Sequence, residues 1–135
     1  NIIGCKDSTS NLYENLKMPN FLIFPGTEKK LLKGLEIGNS GIISAVCNAT
    51  APLARKVFDD FENKKKQTQN DKLIAVRDVF DKYNLISALH SYFSTKDDNF
   101  KNLLPPLTLL NPKEKKELID ELNNLKFVTT SNLAA

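Results

Sequence analysis

The sequence predicts an α/β fold built around a small parallel sheet, and three observations predict it. Three short apolar runs, Ile2–Lys6, Phe21–Phe24 and Gly41–Cys47, lack the polar–apolar alternation of a half-solvated strand and read as strands covered on both faces. Helical spacing with capping signals follows each run. Strand and helix therefore alternate as β-α-β-α-β-α, the order of a parallel sheet with right-handed crossovers.

Each element has its own signal. In the first strand, side chains alternate, so Ile2, Gly4 and Lys6 share one face while Ile3 and Cys5 share the other. Asn11, with Glu14 three residues on, predicts a capped short helix that stops before Pro19. Four bulky apolar residues, Phe21–Phe24, make the second strand. After Pro25-Gly26, Thr27 caps a helix whose Leu31, Leu32 and Leu35 lie on one face, and Gly38 supplies the left-handed residue that ends it. Gly41–Cys47 reads as the third strand. Pro52 suits the first turn of the next helix, where Leu53, Val57, Phe58 and Phe61 recur at helical spacing and Lys64-Lys65-Lys66 meets the negative end of the helix dipole.

From about Asn70 the strand signal disappears. Leu73, Val76, Phe80 and Tyr83, then Leu85, Leu89 and Phe93, give two helices with a break at Asn84. Asn111-Pro112-Lys113-Glu114 combines a cap, a proline at the first helical position and a glutamate at the third, leading into Leu118, Ile119, Leu122 and Leu125. Residues 129–135, small and polar, read as a frayed tail. Two regions follow: 1–66, with the strands, and 67–135, all helical. Three strands leave two sheet edges that need covering, by the C-terminal helices or by strands from outside this sequence.

Composition narrows the function classes. At 135 residues, 41% hydrophobic and 26% charged with a mean hydropathy of -0.33, the chain has globular values. A net charge of +3 and a pI of 8.8, with one dense basic cluster, fall short of the basic face that nucleic-acid binding needs. No apolar run approaches the roughly 18–20 residues of a membrane span, and no signal peptide is evident. Cys5, Cys47 and the single His90 supply no zinc spacing, and the cysteines read as reduced thiols of a cytoplasmic protein.

Lys6 is the residue that asks for chemistry, since it ends a strand, and catalytic groups of parallel barrels sit at that end. On position alone, a lysine leaving a strand is usually a solvated strand terminus. "NIIGCKDST", followed by "FLIFPGTEKKLLKGLEIGNSGIISAVCNATAP", resembles the pyruvate-dependent Schiff-base aldolases: dihydrodipicolinate synthase, N-acetylneuraminate lyase and 2-keto-3-deoxygluconate aldolase. The resemblance covers roughly residues 1–60 and matches strand six with its lysine, strand seven ending in a glycine, and the strand-eight pattern G-[IV]-I-S-x-x-x-N.

It implies a (β/α)8 TIM barrel of which this chain supplies strands six to eight plus a C-terminal helical appendage. It also implies a class I aldolase or lyase. Lys6 takes the position of the lysine that forms a Schiff base with pyruvate; an amine attacks a carbonyl only when neutral, and a desolvated lysine loses its proton more readily than one in water. No cofactor beyond that covalent bond is implied. The resemblance assigns Ser8 to the substrate's hydroxyl chain, against a plain solvated loop serine. It assigns Gly26 to close approach of substrate to backbone. Glu28 falls near the acid that lyases use for polyol hydroxyls, although G-T-E-K departs from the family's G-x-D-E; the other reading is a first-turn acid favoured by the helix dipole. The backbone carbonyl of Ile43 would face the lysine, while Ser44 and Asn48 read as structural.

The family's tyrosine relay and carboxylate-binding segment precede the lysine strand, and Tyr13, Tyr83 and Tyr92 match neither. The expected partners are pyruvate, an aldehyde, about 130–160 further residues forming the N-terminal half of the barrel, and copies of the protein in a homo-oligomer, commonly a tetramer. This chain alone is expected to be inactive. "LLPPLTLLNPKEKKELIDEL" is more similar to the C-terminal region of 2-keto-3-deoxygluconate aldolases than to the synthases. Two alternatives stand beside this reading: a dihydrodipicolinate synthase, condensing pyruvate with aspartate semialdehyde, and a non-catalytic half-barrel interaction module.

Overall fold

The first two apolar runs form the sheet. In the computed structural model, which describes residues 1–128, β1 (Gly4–Asp7) and β2 (Leu22–Pro25) pair in parallel, with Gly4 opposite Leu22, Cys5 opposite Ile23, Lys6 opposite Phe24 and Asp7 opposite Pro25. Gly4 is required by the pairing itself: a Cβ there would lie 2.6 Å from the Leu22 carbonyl oxygen, so only glycine allows this approach.

The predicted helix after β1 is a single turn, in which the Asn15 and Leu16 amides donate to the Leu12 carbonyl at 3.0 and 2.8 Å. Asn11 does not cap it. The leading amides of Leu12 and Tyr13 donate instead to Asp7 Oδ2, at 2.9 and 3.0 Å, because an ionised carboxylate already fixed by β1 is the stronger acceptor.

The predicted third strand does not form as a strand. Segment 40–43 runs beside β2, where the Ser40 and Ile43 amides donate to the Ile23 and Pro25 carbonyls, both at 3.1 Å. A parallel ladder would need the amide of residue 25 to return a bond to Ser40, and Pro25 has none to give. Between the two bonds this segment advances three residues while β2 advances two, and Gly41, at φ 139°, absorbs the extra one.

Thr27 caps as predicted: its hydroxyl accepts from the Lys29 amide at 3.4 Å, a 3-10 turn covers Glu28–Lys30, and α1 (Leu31–Glu36) follows. Gly38, at φ 93°, ends it. Helix α2 (Cys47–Glu62) starts earlier than predicted, so Cys47 is helical and Pro52 lies inside the helix, where the Asn48 carbonyl loses its i+4 donor. Leu31, Leu35, Ala54, Val57 and Leu73 form the buried core of this part, with Leu32, Leu53, Phe58 and Phe61 packed on it.

The chain divides into two compact units between Ile74 and Ala75, within α3 (Asn70–Phe80). Leu73 is the reason: its side chain belongs to the first unit's core. In the second unit Asn84 breaks the helices as predicted, accepting from the Ile86 and Ser87 amides at the head of α4 (Leu85–Phe93). The predicted capping box opens α5 (Pro112–Asn124), with Asn111 Oδ1 accepting from the Glu114 amide and Glu114 returning the bond to Asn111. Phe80, Leu89, Tyr92, Phe93, Leu118, Leu122 and Phe127 are buried, and the Phe80 and Tyr92 rings meet edge-on at 5.9 Å. The tail assignment at 129–135 lies outside the described residues.

Candidate active site

The end of β1 presents two consecutive side chains to two different environments. Lys6 is exposed, while Asp7 is only 2% exposed. Strand alternation produces the difference: Asp7 points towards the 9–13 turn and Lys6 to the opposite face. Four donors converge on the Asp7 carboxylate. Oδ1 accepts from the Thr9 amide at 3.1 Å and its hydroxyl at 2.9 Å, and Oδ2 from Leu12 and Tyr13. Burial alone would raise the pKa of this group, but the bonds from Tyr13, Thr9 and Leu12 outweigh it and hold the carboxyl below the ordinary aspartate value.

Gly26 sits directly beside Lys6. Its amide donates to the Asp7 carbonyl at 2.8 Å, and a Cβ on it would lie 3.1 Å from Ser8 Cα, 3.2 Å from the Asp7 carbonyl oxygen and 3.5 Å from Lys6 Cε. The missing side chain thus lets β2 close against the β1 terminus and keeps space next to the lysine stem. Ser8 is exposed at the head of the following turn. Ile43, 47% exposed, is tied by its amide to the Pro25 carbonyl, one residue from Gly26.

Glu28 is placed differently from an open substrate contact. It is fully buried, its Oε2 accepting from the Ser44 hydroxyl at 2.7 Å and its Oε1 from the Thr50 hydroxyl at 3.2 Å. It ties the turn after Gly26 to the segment that carries Ile43 and to α2. The structural reading of Ser44 agrees with this bond, and Asn48 serves locally, its side-chain amide donating to the Ala45 carbonyl at 2.9 Å.

Tyr13 lies on the Asp7 side of the sheet, away from Lys6. It is 2% exposed, its hydroxyl donates to the Glu14 carboxylate, and Lys30 Nζ lies 5.0 Å from the ring centre. The hydrogen bond to Tyr13, opposed by burial and helped by the charges of Tyr13 and Glu14, raises the Lys30 amine above its ordinary value. Asp7, Thr9 and Thr50 are the structural participants that sequence reasoning missed. An acid between a strand end and two hydroxyls was a usable signal for Asp7; Thr50 offered none.

No group of three metal-ligating side chains occurs among the described residues, and no helix there is long and apolar enough to cross a membrane. Lys6, Ser8, Gly26 and the Ile43 backbone form one neighbourhood, an amine on an open face with a glycine beside it.

A family model described as the dihydrodipicolinate synthetase family matches residues 1–125. An uncharacterized DapA-like lyase of Chloroflexus aurantiacus is 33% identical over 101 residues, covering 70% of this chain and 33% of the relative. The solved 4-hydroxy-tetrahydrodipicolinate synthase of Methylacidiphilum fumariolicum SolV aligns at a TM-score of 0.78 and 17% identity, over 93% of this chain and 44% of the other. A 2-keto-3-deoxygluconate aldolase of Sulfolobus solfataricus gives 0.76 at 18% identity, over 92% and 45%. YagE of E. coli K12, solved in complex with pyruvate, gives 0.74 at 18%, over 94% and 47%. The fold is accordingly that of part of a (β/α)8 barrel of this type, and the chain spans a third of the curated relative and less than half of these structures. With the family match running from residue 1 to residue 125, the chain belongs to the dihydrodipicolinate synthetase family.

Proposed function

We propose that this chain carries the nucleophile of a class I lyase or aldolase that makes or breaks a carbon–carbon bond of a pyruvate-derived 2-keto acid, and that it corresponds to strands six to eight of the barrel with the helical appendage. The observation that carries the reading is Lys6 at the C-terminal end of β1, exposed on the face opposite buried Asp7 and flanked by Gly26. In this reading Lys6 Nζ adds to the keto carbon of pyruvate, the carbinolamine loses water, and an iminium forms. The iminium draws electrons from the neighbouring carbon, which loses a proton to become a nucleophilic enamine. That carbon attacks the aldehyde carbonyl, whose oxygen takes up a proton, and water then releases the product and regenerates the lysine. The amine is itself the catalyst and no cofactor is needed.

Ser8 is assigned to the substrate's hydroxyl chain, Gly26 to substrate approach, and the Ile43 carbonyl to the neighbourhood of the lysine. Glu28, with both oxygens on Ser44 and Thr50, is assigned to positioning that segment and not to direct substrate contact. The tyrosine relay, the carboxylate pocket and the oligomer contacts are assigned to the rest of the protein and its copies.

The test is to incubate the full-length protein with pyruvate, reduce with borohydride and map the adduct by mass spectrometry. A single adduct on Lys6 that disappears in Lys6→Ala is the expected result; label spread over surface lysines, or none, refutes the reading. A 2-keto-3-deoxygluconate type of substrate is favoured by the C-terminal pattern, and condensation with aspartate semialdehyde is the second reading, favoured by the family model. Supplying glyceraldehyde or aspartate semialdehyde together with pyruvate, and measuring which one is consumed, separates the two.

A further inference from the structure

We propose that Asp7 is a positioning residue for the nucleophile, locking the register and facing of the strand end so that Lys6 points into the site. The inference rests on the assignment of Lys6 above and adds a residue to it. Neighbouring residues of a strand face opposite ways, and a slip or twist by one residue would exchange their faces. What prevents that exchange at the end of β1 is the anchoring of Asp7. Its carboxylate is buried and receives four bonds, two from Thr9 and one each from the Leu12 and Tyr13 amides. Its carbonyl receives the Gly26 amide at 2.8 Å. Tyr13, which closes the turn, is in turn held at its carbonyl by the Asn39 side-chain amide at 3.0 Å.

Strand and turn are thereby fastened on one side of the sheet. With Asp7 fixed, Lys6 has only the other side to occupy, and its stem passes the Gly26 position. A carboxylate suits this task because both oxygens accept; an asparagine offers one acceptor oxygen and an NH2 group that would face N–H donors.

The test compares wild type, Asp7→Asn and Thr9→Val of the full-length protein in borohydride trapping with pyruvate, following the rate and the final stoichiometry of the Lys6 adduct. A misdirected nucleophile lowers the trapping rate at saturating pyruvate about 10- to 100-fold. Asp7→Asn should show that loss with the pyruvate concentration for half-maximal rate changed less than about twofold, and should still reach full stoichiometry on long incubation. Thr9→Val, which removes one of the four donors and keeps the three amides, should lose about two- to tenfold on the scale of a single hydrogen bond. If Asp7→Asn does not fold, Thr9→Val decides. An Asp7→Asn enzyme that traps at the wild-type rate overturns the proposal, as does a final stoichiometry reduced in proportion to the unfolded fraction. Absence of a Lys6 adduct in wild type overturns the Lys6 assignment itself, and the positioning role with it.

Discussion

At the scale of single residues, the buried carboxylate of Asp7 has a consequence for acid stability. Because its pKa is held below the ordinary value of 3.8, the folded state binds fewer protons there than the unfolded chain in that range. The stabilisation is therefore complete above the unfolded value and is lost as pH falls through the lower folded value. Thermal unfolding of wild type and Asp7→Asn from pH 6 to pH 3 should show a gap in Tm that is constant near pH 6 and narrows below about pH 4. Asp7 was legible in the sequence only as an acid between a strand end and two hydroxyls, without its partners at Leu12 and Tyr13. Its bonds to Leu12 and Tyr13 compete with a capping box that local pattern reading favours, and the winner depends on where β1 fixes the carboxylate. Glu28 is harder still: its partners Ser44 and Thr50 lie 16 and 22 residues away, beyond any local signal.

At the scale of elements, the sheet depends on one close backbone approach. Gly4→Ala would place a methyl 2.6 Å from the Leu22 carbonyl oxygen and 2.9 Å from Leu22 Cβ, so β1 and β2 must separate. Denaturant unfolding should show a loss of about 1–3 kcal/mol, the usual cost of overpacking. Helices with a donor and acceptor close in sequence were the readable part of the fold: Thr27 with Lys29, Asn84 with Ile86 and Ser87, and Asn111 with Glu114 all form as their spacing requires. The run Gly41–Cys47 misled because apolar composition reports on side-chain burial, whereas a ladder also needs donors on the neighbouring strand. The missing donor is at Pro25, and no inspection of 41–47 alone would reveal it.

At the scale of the whole chain, the first unit leaves a strand edge unmet. The sheet of the described residues has two strands, so β1 has β2 on one side and no strand on the other. Ile2 and Ile3, leading into it, are 83% and 71% exposed. An apolar strand edge in this state templates pairing with other chains. Sedimentation of this 135-residue chain at tens of micromolar should show dimers or larger species, and Ile3→Lys should shift the distribution towards monomer; equal distributions for both would count against edge pairing. The lysine and glycine motifs made the candidate nucleophile legible from sequence. The surroundings of that lysine were not, since Glu28, Ser44 and Thr50 meet across 16 and 22 residues of sequence.

Pro25 has one more effect, on how this stretch of the fold tolerates change over evolutionary time. In a fully paired strand, inserting or deleting one residue swaps every later side chain between core and solvent. Segment 40–43 hangs from β2 at two points, with slack at Gly41 between them. An insertion or deletion between those points would alter the loop that carries Ile43 while leaving the pairing of β1 with β2, and with it the facing of Lys6, unchanged.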